Sequence, residues 1–495
     1  MTITAQTAGD NGEGERFAEE EGTKRNRKTR FARPGWIVAS LIVANFLAQL
    51  MQTMLNTALP QMMFDLGIRA DRGQWLITVY LLVTSIVVPA AGFLVGRFST
   101  RALFFASGGA FIAGTLLAAV SSGYAPLLAG RLIQGVGAGL LMPLFQTTIL
   151  RVFPKEKMGA AMGIVGLVMG LAPALGPVLS GFALEDRSWR ILFYGVLPIA
   201  AANLLLAYLT LKNVGERSSA KLDLLSLLYS SVGFSSLLYG LGSFGGSGTA
   251  GYALPAIAAG ATGVTLFVRR QSRLAEPLLD FGLMRSRSFR LASWIGAILF
   301  FVMIGTELFL PLYAQNVVGL TPRDSGLMLL PGALLFGLSG VVSGRLYDRF
   351  GAALLTRLAF GAIAAALLLL TCSIRLDAPP WLLTSLFALF MVGVGFVMSP
   401  ITAYAMSGIP AEQIRHASPM TIMIRSFSGA ASGAVLVAVA TPVTDLSALP
   451  VPENTRIGIT AVFGILTACA AAGLAVSLRL EGRRGRGQGA AGSPE

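Results

Sequence analysis

Long apolar runs alternate with short polar segments along most of the chain. Fourteen of these runs have enough residues to cross a bilayer. Because hydrocarbon offers no hydrogen-bond partner to the backbone, apolar runs of about 20 residues predict membrane-spanning helices. The predicted spans are residues 36–58, 75–95, 103–121, 127–150, 159–182, 191–211, 224–242, 252–268, 291–314, 326–344, 354–374, 381–406, 421–440 and 458–476.

The distribution of basic residues supports this arrangement. With the N-terminus inside, the large majority of the 38 Lys and Arg residues fall in segments on the cytoplasmic side, as the positive-inside rule requires. A count that differed by one helix would reverse every later loop and place the basic residues between Arg269 and Arg290 outside. We therefore expect an all-α polytopic membrane protein with fourteen transmembrane helices and both termini in the cytoplasm.

The lengths of the loops divide these helices into groups of six, two and six. The division predicts a disordered cytoplasmic tail (1–35), an N-terminal six-helix bundle (36–212), a linker with an inserted two-helix pair (213–275), a C-terminal six-helix bundle (276–480) and a second cytoplasmic tail (481–495). Paired bundles are typical of transporters whose substrate site lies between two repeats near the bilayer midplane.

Composition excludes several other classes of protein. Hydrophobic residues make up 54% of the chain and charged residues 13%, which no aqueous fold tolerates. The net charge of +14 follows from basic residues at membrane edges, so no nucleic-acid partner is predicted. Cys372 and Cys469 lack metal-ligand spacing, and no Gly-x-x-x-x-Gly-Lys phosphate loop occurs. We expect no metal, no cofactor and no obligate protein partner.

Several short motifs occur in a characteristic order. They are Leu55-Asn56-Thr57-Ala58-Leu59-Pro60, Arg131-Leu132-Ile133-Gln134-Gly135-Val136-Gly137, Ala172-Pro173-Ala174-Leu175-Gly176-Pro177 with Gly181, Ser188-Trp189-Arg190, and Leu310-Pro311-Leu312-Tyr313-Ala314-Gln315 with Gly319. With them the chain resembles the major facilitator superfamily, and within it the fourteen-helix drug/proton antiporters of the EmrB/QacA type. The resemblance extends from Asn45 to Gly433 and implies a bacterial exporter in the cell membrane.

The resemblance implies that the fifth-helix motif is the antiporter hinge of the family. Its members here are Pro173, Gly176, Pro177 and Gly181. Proline deletes a helix hydrogen bond and permits a bend, while glycine lets neighbouring helices approach closely. The alternative is that these small residues only pack helices together, as they do widely in membranes.

Arg131 lies within the fourth apolar run. A charge there costs at least about 2.5 kcal/mol unless it faces water or a partner. The resemblance links the matching arginine to proton transfer and substrate response. A structural hydrogen bond to neighbouring backbone is the alternative. Gln134, one turn later, is predicted to line the substrate cavity.

Four amide side chains lie on one face of the first predicted helix. Asn45, Gln49, Gln52 and Asn56 are spaced i, i+4, i+7 and i+11, and this spacing places them in one stripe. Amides facing lipid would be costly, so the stripe predicts a cavity wall. The alternative is a set of interhelical hydrogen bonds without any ligand contact.

The cytoplasmic gating signature of the family occurs twice. Its candidate residues are Gly92 and Arg97 in the first copy and Gly344, Asp348, Arg349 and Gly351 in the second. The first copy has Gly96 where an aspartate is usual, a loss shared with lincomycin-resistance-type exporters. Asp348, in the second copy, can accept charge-assisted hydrogen bonds and latch the cytoplasmic side.

Glu307 is the only acidic residue placed well inside an apolar run. Many members of the family carry an acid in the first helix, but Met51 occupies that position here, so Glu307 becomes the candidate proton carrier. The alternative is that the ninth helix is misplaced and Glu307 is a solvated charge near the outer interface. Arg425 lies near the predicted cytoplasmic end of its helix, which allows snorkelling, so a structural role is weighed first. His416 is predicted to be a polar loop residue.

The sequence thus predicts a proton-coupled multidrug antiporter that exports amphipathic or cationic small molecules by alternating access. An exporter or importer of one metabolite on the same fold is the alternative. A membrane enzyme would need a cluster of catalytic carboxylates or histidines in a sizeable loop, and no loop contains one.

Overall fold

The structure is a computed structural model that describes residues 34–152, 172, 175–185, 187–211, 213, 223–243, 250–274, 277–407, 409, 413–445 and 451–480. These residues are helical and contain no strand. The helices are α1 (Pro34–Leu66), α2 (Ala70–Gly73), α3 (Trp75–Arg97), α4 (Thr100–Ala119), α5 (Tyr124–Val152), α6 (175–183), α7 (Arg190–Thr210), α8 (Leu224–Ser243), α9 (Ala250–Gln271), α10 (Arg287–Asn316), α11 (Pro322–Tyr347), α12 (Arg349–Arg375), α13 (Pro380–Met406), α14 (Ile414–Asp445) and α15 (Val451–Ser477).

The described helices agree with a polytopic membrane protein. Twelve are long and apolar enough to cross a membrane, and α3 contains a shorter apolar segment, Trp75–Val88. Each predicted span except the fifth coincides with one described helix. Most of the fifth span lies outside the described residues and only 175–183 is seen as helix. The count of fourteen spans therefore stays a prediction.

Local sequence explains two sharp changes of direction in the C-terminal half. Gly319 has a φ of +77° after α10 ends, and Thr321 then caps α11 by accepting a hydrogen bond from the Asp324 amide, with Pro322 in the first turn. Gly351 has a φ of +76° in the first turn of α12, where the chain bends away from α11. Side chains strain the backbone at such angles, so glycine suits both positions.

The N-terminal bundle is built around α5, which packs against α1, α3 and α4. At one end Trp189 is fully buried beneath the Arg190 guanidinium, whose carbon lies 4.2 Å from the indole centroid. Arg190 also donates from Nη2 to the Ser121 carbonyl over 2.8 Å. The Ser188-Trp189-Arg190 motif thus fastens the start of α7 to the end of α4.

The helix pair α8–α9 packs on the seam between the two bundles. Helix α8 contacts α3 of the N-terminal bundle and α14 of the C-terminal bundle. At one end of the pair, Arg270 hydrogen-bonds both carboxylate oxygens of Asp223 at 2.7 and 2.9 Å, and these bonds lower the pKa of Asp223 to about 2. The pair is therefore joined to both bundles by packing and closed at its end by an ion pair.

The two bundles contact each other directly near the ends of α1 and α10. We call the group formed by Thr57, Gly181, Glu185, Gln315, Arg323 and Gly326 the outer cluster, because the predicted topology places it outside. Gln315 donates to the Thr57 carbonyl over 3.2 Å, and Arg323 pairs with Glu185 at 2.6 Å. At the opposite end, Ser418 of α14 hydrogen-bonds Gln146 of α5. The bundles thus meet at both ends.

Candidate functional site

Helix α10 holds Glu307 in the interior of the molecule. Its side chain is 4% exposed, and every residue from 302 to 314 is buried. The Oε2 atom has no hydrogen-bond partner among the described residues, and no described basic group forms an ion pair with it. The alternative in which Glu307 is a solvated charge at the interface disagrees with this burial. An unpaired carboxyl in such a place is costly as a carboxylate and stable as a neutral acid.

Arg131 forms the centre of a polar cluster between three helices. Its Nε donates to the Leu76 carbonyl of α3 over 3.0 Å, and its Nη1 donates to Gln134 over 2.8 Å. Gln134 in turn donates to Thr115 of α4 over 2.6 Å. The guanidinium carbon lies 4.3 Å from the ring centroid of Tyr80. The bond to the Leu76 carbonyl is a structural hydrogen bond to neighbouring backbone, the alternative role predicted for Arg131.

One donor of the Arg131 cluster is left over. The Nη2 atom is buried and has no partner among the described residues. Arg131 and Gln134 are both fully buried. The Gln134 amide hydrogen-bonds Arg131 and Thr115, and its place on a cavity wall stays a proposal. A proton role for Arg131 likewise stays a proposal, with Nη2 as the atom available for it.

The four amides of the α1 stripe have different surroundings. Asn45 donates to the Leu141 carbonyl of α5 over 3.1 Å and so joins two helices. Gln49 and Gln52 are half-buried, and their side chains have no hydrogen bond to any described residue. Asn56 is 2% exposed with an unpartnered Oδ1. Gln49, Gln52 and Asn56 therefore have side-chain polar atoms without a hydrogen bond to the described residues, whereas Asn45 uses its amide to join α1 to α5.

The described part of the predicted hinge packs closely on both bundles. A side chain at Gly176 would meet Thr53 of α1, and one at Gly181 would lie 2.7 Å from the Pro322 carbonyl of α11. A side chain at Gly326 would likewise lie 2.6 Å from the Pro177 carbonyl. Pro173 lies outside the described residues. The end of α6 is thus wedged between α1 and α11 without room for a methyl group.

The two predicted gate copies are at the ends of α3 and α11. Arg97 is exposed in the last turn of α3, where Gly92 is also helical. Gly344 faces Ser399 of α13, and the Arg349 guanidinium lies 5.3 Å from the Phe350 ring centroid. Gly351 supplies the turn described above. Asp348 lies in the helical segment, but its side chain is outside the described part of the structure. The latch role of Asp348 stays a prediction.

Arg425 lies in α14, which begins at Ile414, seven residues before the predicted span. Its side chain is 9% exposed and donates from Nη2 to Thr402 of α13 over 2.9 Å. This contact joins two helices and agrees with the structural role weighed first for Arg425, while snorkelling stays a prediction.

Comparisons with known proteins agree with this architecture. A family model described as Major Facilitator Superfamily matches residues 41–434. The chain is 40% identical to an uncharacterized MFS-type transporter, YcnB, of Bacillus subtilis, over 81% of this chain and 85% of that one. It is 35% identical to the lincomycin resistance protein LmrB of Listeria monocytogenes, over 82% and 86%.

A solved structure shares the fold at low sequence identity. The human organic anion transporter MFSD10 superposes with a TM-score of 0.61 and 16% identity, covering 90% of this chain and 99% of that one. At this identity the likeness concerns the fold alone.

Proposed function

Because the chain belongs to the Major Facilitator Superfamily, whose relatives are transporters, we propose that it exports amphipathic or cationic small molecules in exchange for protons. The observation that carries the proposal is Glu307, a buried carboxyl without an ion-pair partner among the described residues. Such a group binds a proton when enclosed and releases it when water or a cation reaches it. That alternation is what an antiporter requires.

Substrate and proton alternate in this proposal without sharing one binding group. Glu307 releases its proton while the site is open to the cytoplasm and substrate binds there, and it takes up a proton after the substrate leaves on the outer side. The half-buried amides Gln49 and Gln52 on α1 supply hydrogen bonds on the facing bundle. Since α1 and α10 pack against each other across the bundle interface, the two sets of groups belong to neighbouring walls. The proposed substrate site lies between them.

Alternating access in this proposal comes from rocking of the two bundles. The outer cluster joins the bundles through an ion pair, one hydrogen bond and the contact of Gly181 and Gly326 with opposing backbone. Each of these contacts is local, so separation of the bundles at this end breaks few bonds. The helix pair α8–α9 spans the seam between α3 and α14 and is proposed to move with the rocking bundles.

Export is favoured over import by the relatives. Relatives at 27–35% identity carry the names lincomycin resistance protein and multidrug transporter or resistance protein, and drug resistance needs an outward direction of transport. The order of motifs in α1, α5 and α6 supports the fourteen-helix drug antiporter branch. We propose fourteen spans, with the two termini in the cytoplasm of a bacterial cell.

Everted membrane vesicles test this function. We expect respiring vesicles that contain the protein to accumulate the cationic dye rhodamine 123, and collapse of the pH gradient with nigericin to release it. Vesicles from the same strain without the protein serve as the control. Accumulation that survives loss of the pH gradient, or no accumulation of any amphipathic cation in a diverse set, would contradict proton-coupled export.

A further inference from the structure

Arg425 lies in a pocket shaped for a guanidinium. Gly296 of α10 has no side chain where the guanidinium passes, and a methyl group there would stand 3.1 Å from Nε. Phe300, one turn further along α10, has its ring centroid 5.8 Å from the guanidinium carbon. Thr402 of α13 accepts the one hydrogen bond that the structure gives the guanidinium. Three helices therefore hold this cation in place.

The cation in this pocket has no counter-ion among the residues that the structure describes. An arginine has five N–H donors, and Thr402 takes one of them. Among the described residues no carboxylate forms an ion pair with Arg425. A buried, unpaired charge costs several kcal/mol, and a charge inside a membrane span ordinarily has a functional reason. The unused donors point to a ligand with anionic oxygen atoms.

Glu307 is too far away to serve as that ligand. Gly296, Phe300 and Glu307 are spaced i, i+4 and i+11 on α10, so they share one face of the helix. Glu307 lies seven positions after Phe300, a rise of about 10 Å along the helix axis. This distance excludes an ion pair. One face of α10 therefore has the Glu307 carboxyl and, about two turns nearer the start of the helix, the Arg425 guanidinium, which α14 supplies.

We propose that Arg425, oriented by Thr402 and Phe300, binds the carboxylate of amphipathic substrates, so that zwitterions and organic acids belong to the range of exported compounds. The proposal rests on the proposed export function and adds a substrate class to it. Guanidinium matches a carboxylate with two parallel hydrogen bonds, which a lysine ammonium does not reproduce. Arginine at this position is thus a device for selecting acids.

A matched pair of dyes tests the proposal. Rhodamine 110 has a free carboxylate, and rhodamine 123 is its methyl ester. Binding of each to the purified full chain is measured by fluorescence anisotropy. We expect Arg425→Gln to lower the ratio of acid to ester affinity by at least about fivefold, and Arg425→Lys to lower it less, because the ammonium keeps the charge without the fork.

Arg290→Gln is the control for the loss of one positive charge. Arg290 lies in the first turn of the same helix α10, is exposed, and its side chain hydrogen-bonds only the Met284 carbonyl among the described residues. We expect its affinity ratio to stay within about twofold of the wild-type ratio. An unchanged ratio in Arg425→Gln, or an equal fall in Arg290→Gln, would overturn the proposal.

Two further outcomes separate this inference from the export function. If Arg425→Gln is not recovered as a monodisperse protein, Arg425→Lys decides, and a wild-type ratio in that variant contradicts carboxylate recognition. If the wild type exports the ester but Arg425→Gln has the wild-type ratio of acid to ester affinity, the proposed anion site is wrong and the export function stands. If the wild type exports neither dye nor any other amphipathic compound, the export function itself fails.

Discussion

At the scale of single residues, the described part of the chain has three buried charged side chains, Arg131, Glu307 and Arg425, that a membrane makes costly. Arg131 donates hydrogen bonds to the Leu76 carbonyl and to Gln134. Glu307 and Arg425 have no ion-pair partner among the described residues. The first is therefore explained largely by structure, and the other two call for ligands. The proton and the substrate carboxylate are the ligands proposed here.

Gln52 offers a test of the cavity wall. Its half-buried amide has no bond to any described residue, so Gln52→Leu should remove a contact to substrate without breaking a contact to protein. We expect the ranking of exported compounds to change more than the amount of protein. The measurement is drug susceptibility of a pump-deficient bacterium, across chemically diverse compounds, normalised to protein in the membrane.

Gln61→Leu is the matched control on the same helix. Gln61 donates to the Arg187 carbonyl over 3.0 Å at the predicted outer end, away from the stripe. We expect it to scale resistance to all compounds together. If Gln52→Leu does the same, the stripe is structural.

The roles of some of these residues can be predicted from the sequence and those of others cannot. An acid in an apolar run is conspicuous, so Glu307 could be found without a structure. Asn45 could not be separated from the other amides, because its partner, the Leu141 carbonyl, lies on another helix. The contact of Arg425 could not be predicted either, because its partner Thr402 lies on another helix.

At the scale of elements, apolar runs predict the existence of helices well and their ends poorly. Helix α1 was expected to end at residue 58, before Pro60, but it continues to Leu66 with Pro60 inside. A proline is tolerated there because neighbouring helices satisfy the freed backbone groups. Helix α14 likewise extends seven residues before its apolar run. Polar extensions beyond the hydrocarbon carry no hydrophobic signal.

The contact between α6 and α11 yields a prediction for an element. A methyl group at Gly326 would lie 2.6 Å from the Pro177 carbonyl. Gly326→Ala therefore forces α6 and α11 apart. We expect the outer cluster to open more often. A cysteine at the buried position Thr57, in a protein without its native cysteines, should then react faster with an impermeant maleimide.

Gly337→Ala is the control for this experiment, because Gly337 belongs to the same helix and has open space around it. We expect its labelling rate at position 57 to equal that of the parent protein. A Gly326→Ala rate that also equals the parent rate would show that the glycine contact does not hold the bundles together.

At the scale of the whole molecule, the six, two, six arrangement rests on charge and on packing. The basic residues predict the orientation, and the contacts of α8 with α3 and α14 place the extra pair at the seam between bundles. The grouping into six, two and six helices stays a prediction from the sequence. The position of the pair could not be predicted in this way, since contacts between distant helices leave no local pattern.

The orientation is tested by cysteine labelling. We expect a cysteine at Ser286, in the basic loop before α10, and one at Asp324, at the start of α11, to react with an impermeant reagent from opposite sides of the membrane. Single-cysteine proteins in intact cells and in everted vesicles provide the two directions. Labelling of both positions in intact cells would contradict the fourteen-helix topology.

Proton coupling through Glu307 is the central claim, and gradient-driven transport by reconstituted Glu307→Gln tests it most directly. The glutamine resembles the protonated acid but cannot release a proton, so the variant should still exchange rhodamine 123 across proteoliposomes without a gradient. It should lose uphill transport when a pH gradient is imposed, while Glu453→Gln, a surface acid on α15, keeps it. Uphill transport by Glu307→Gln at the wild-type rate would contradict the account and move the coupling site to another acid, such as Asp65 or Asp348.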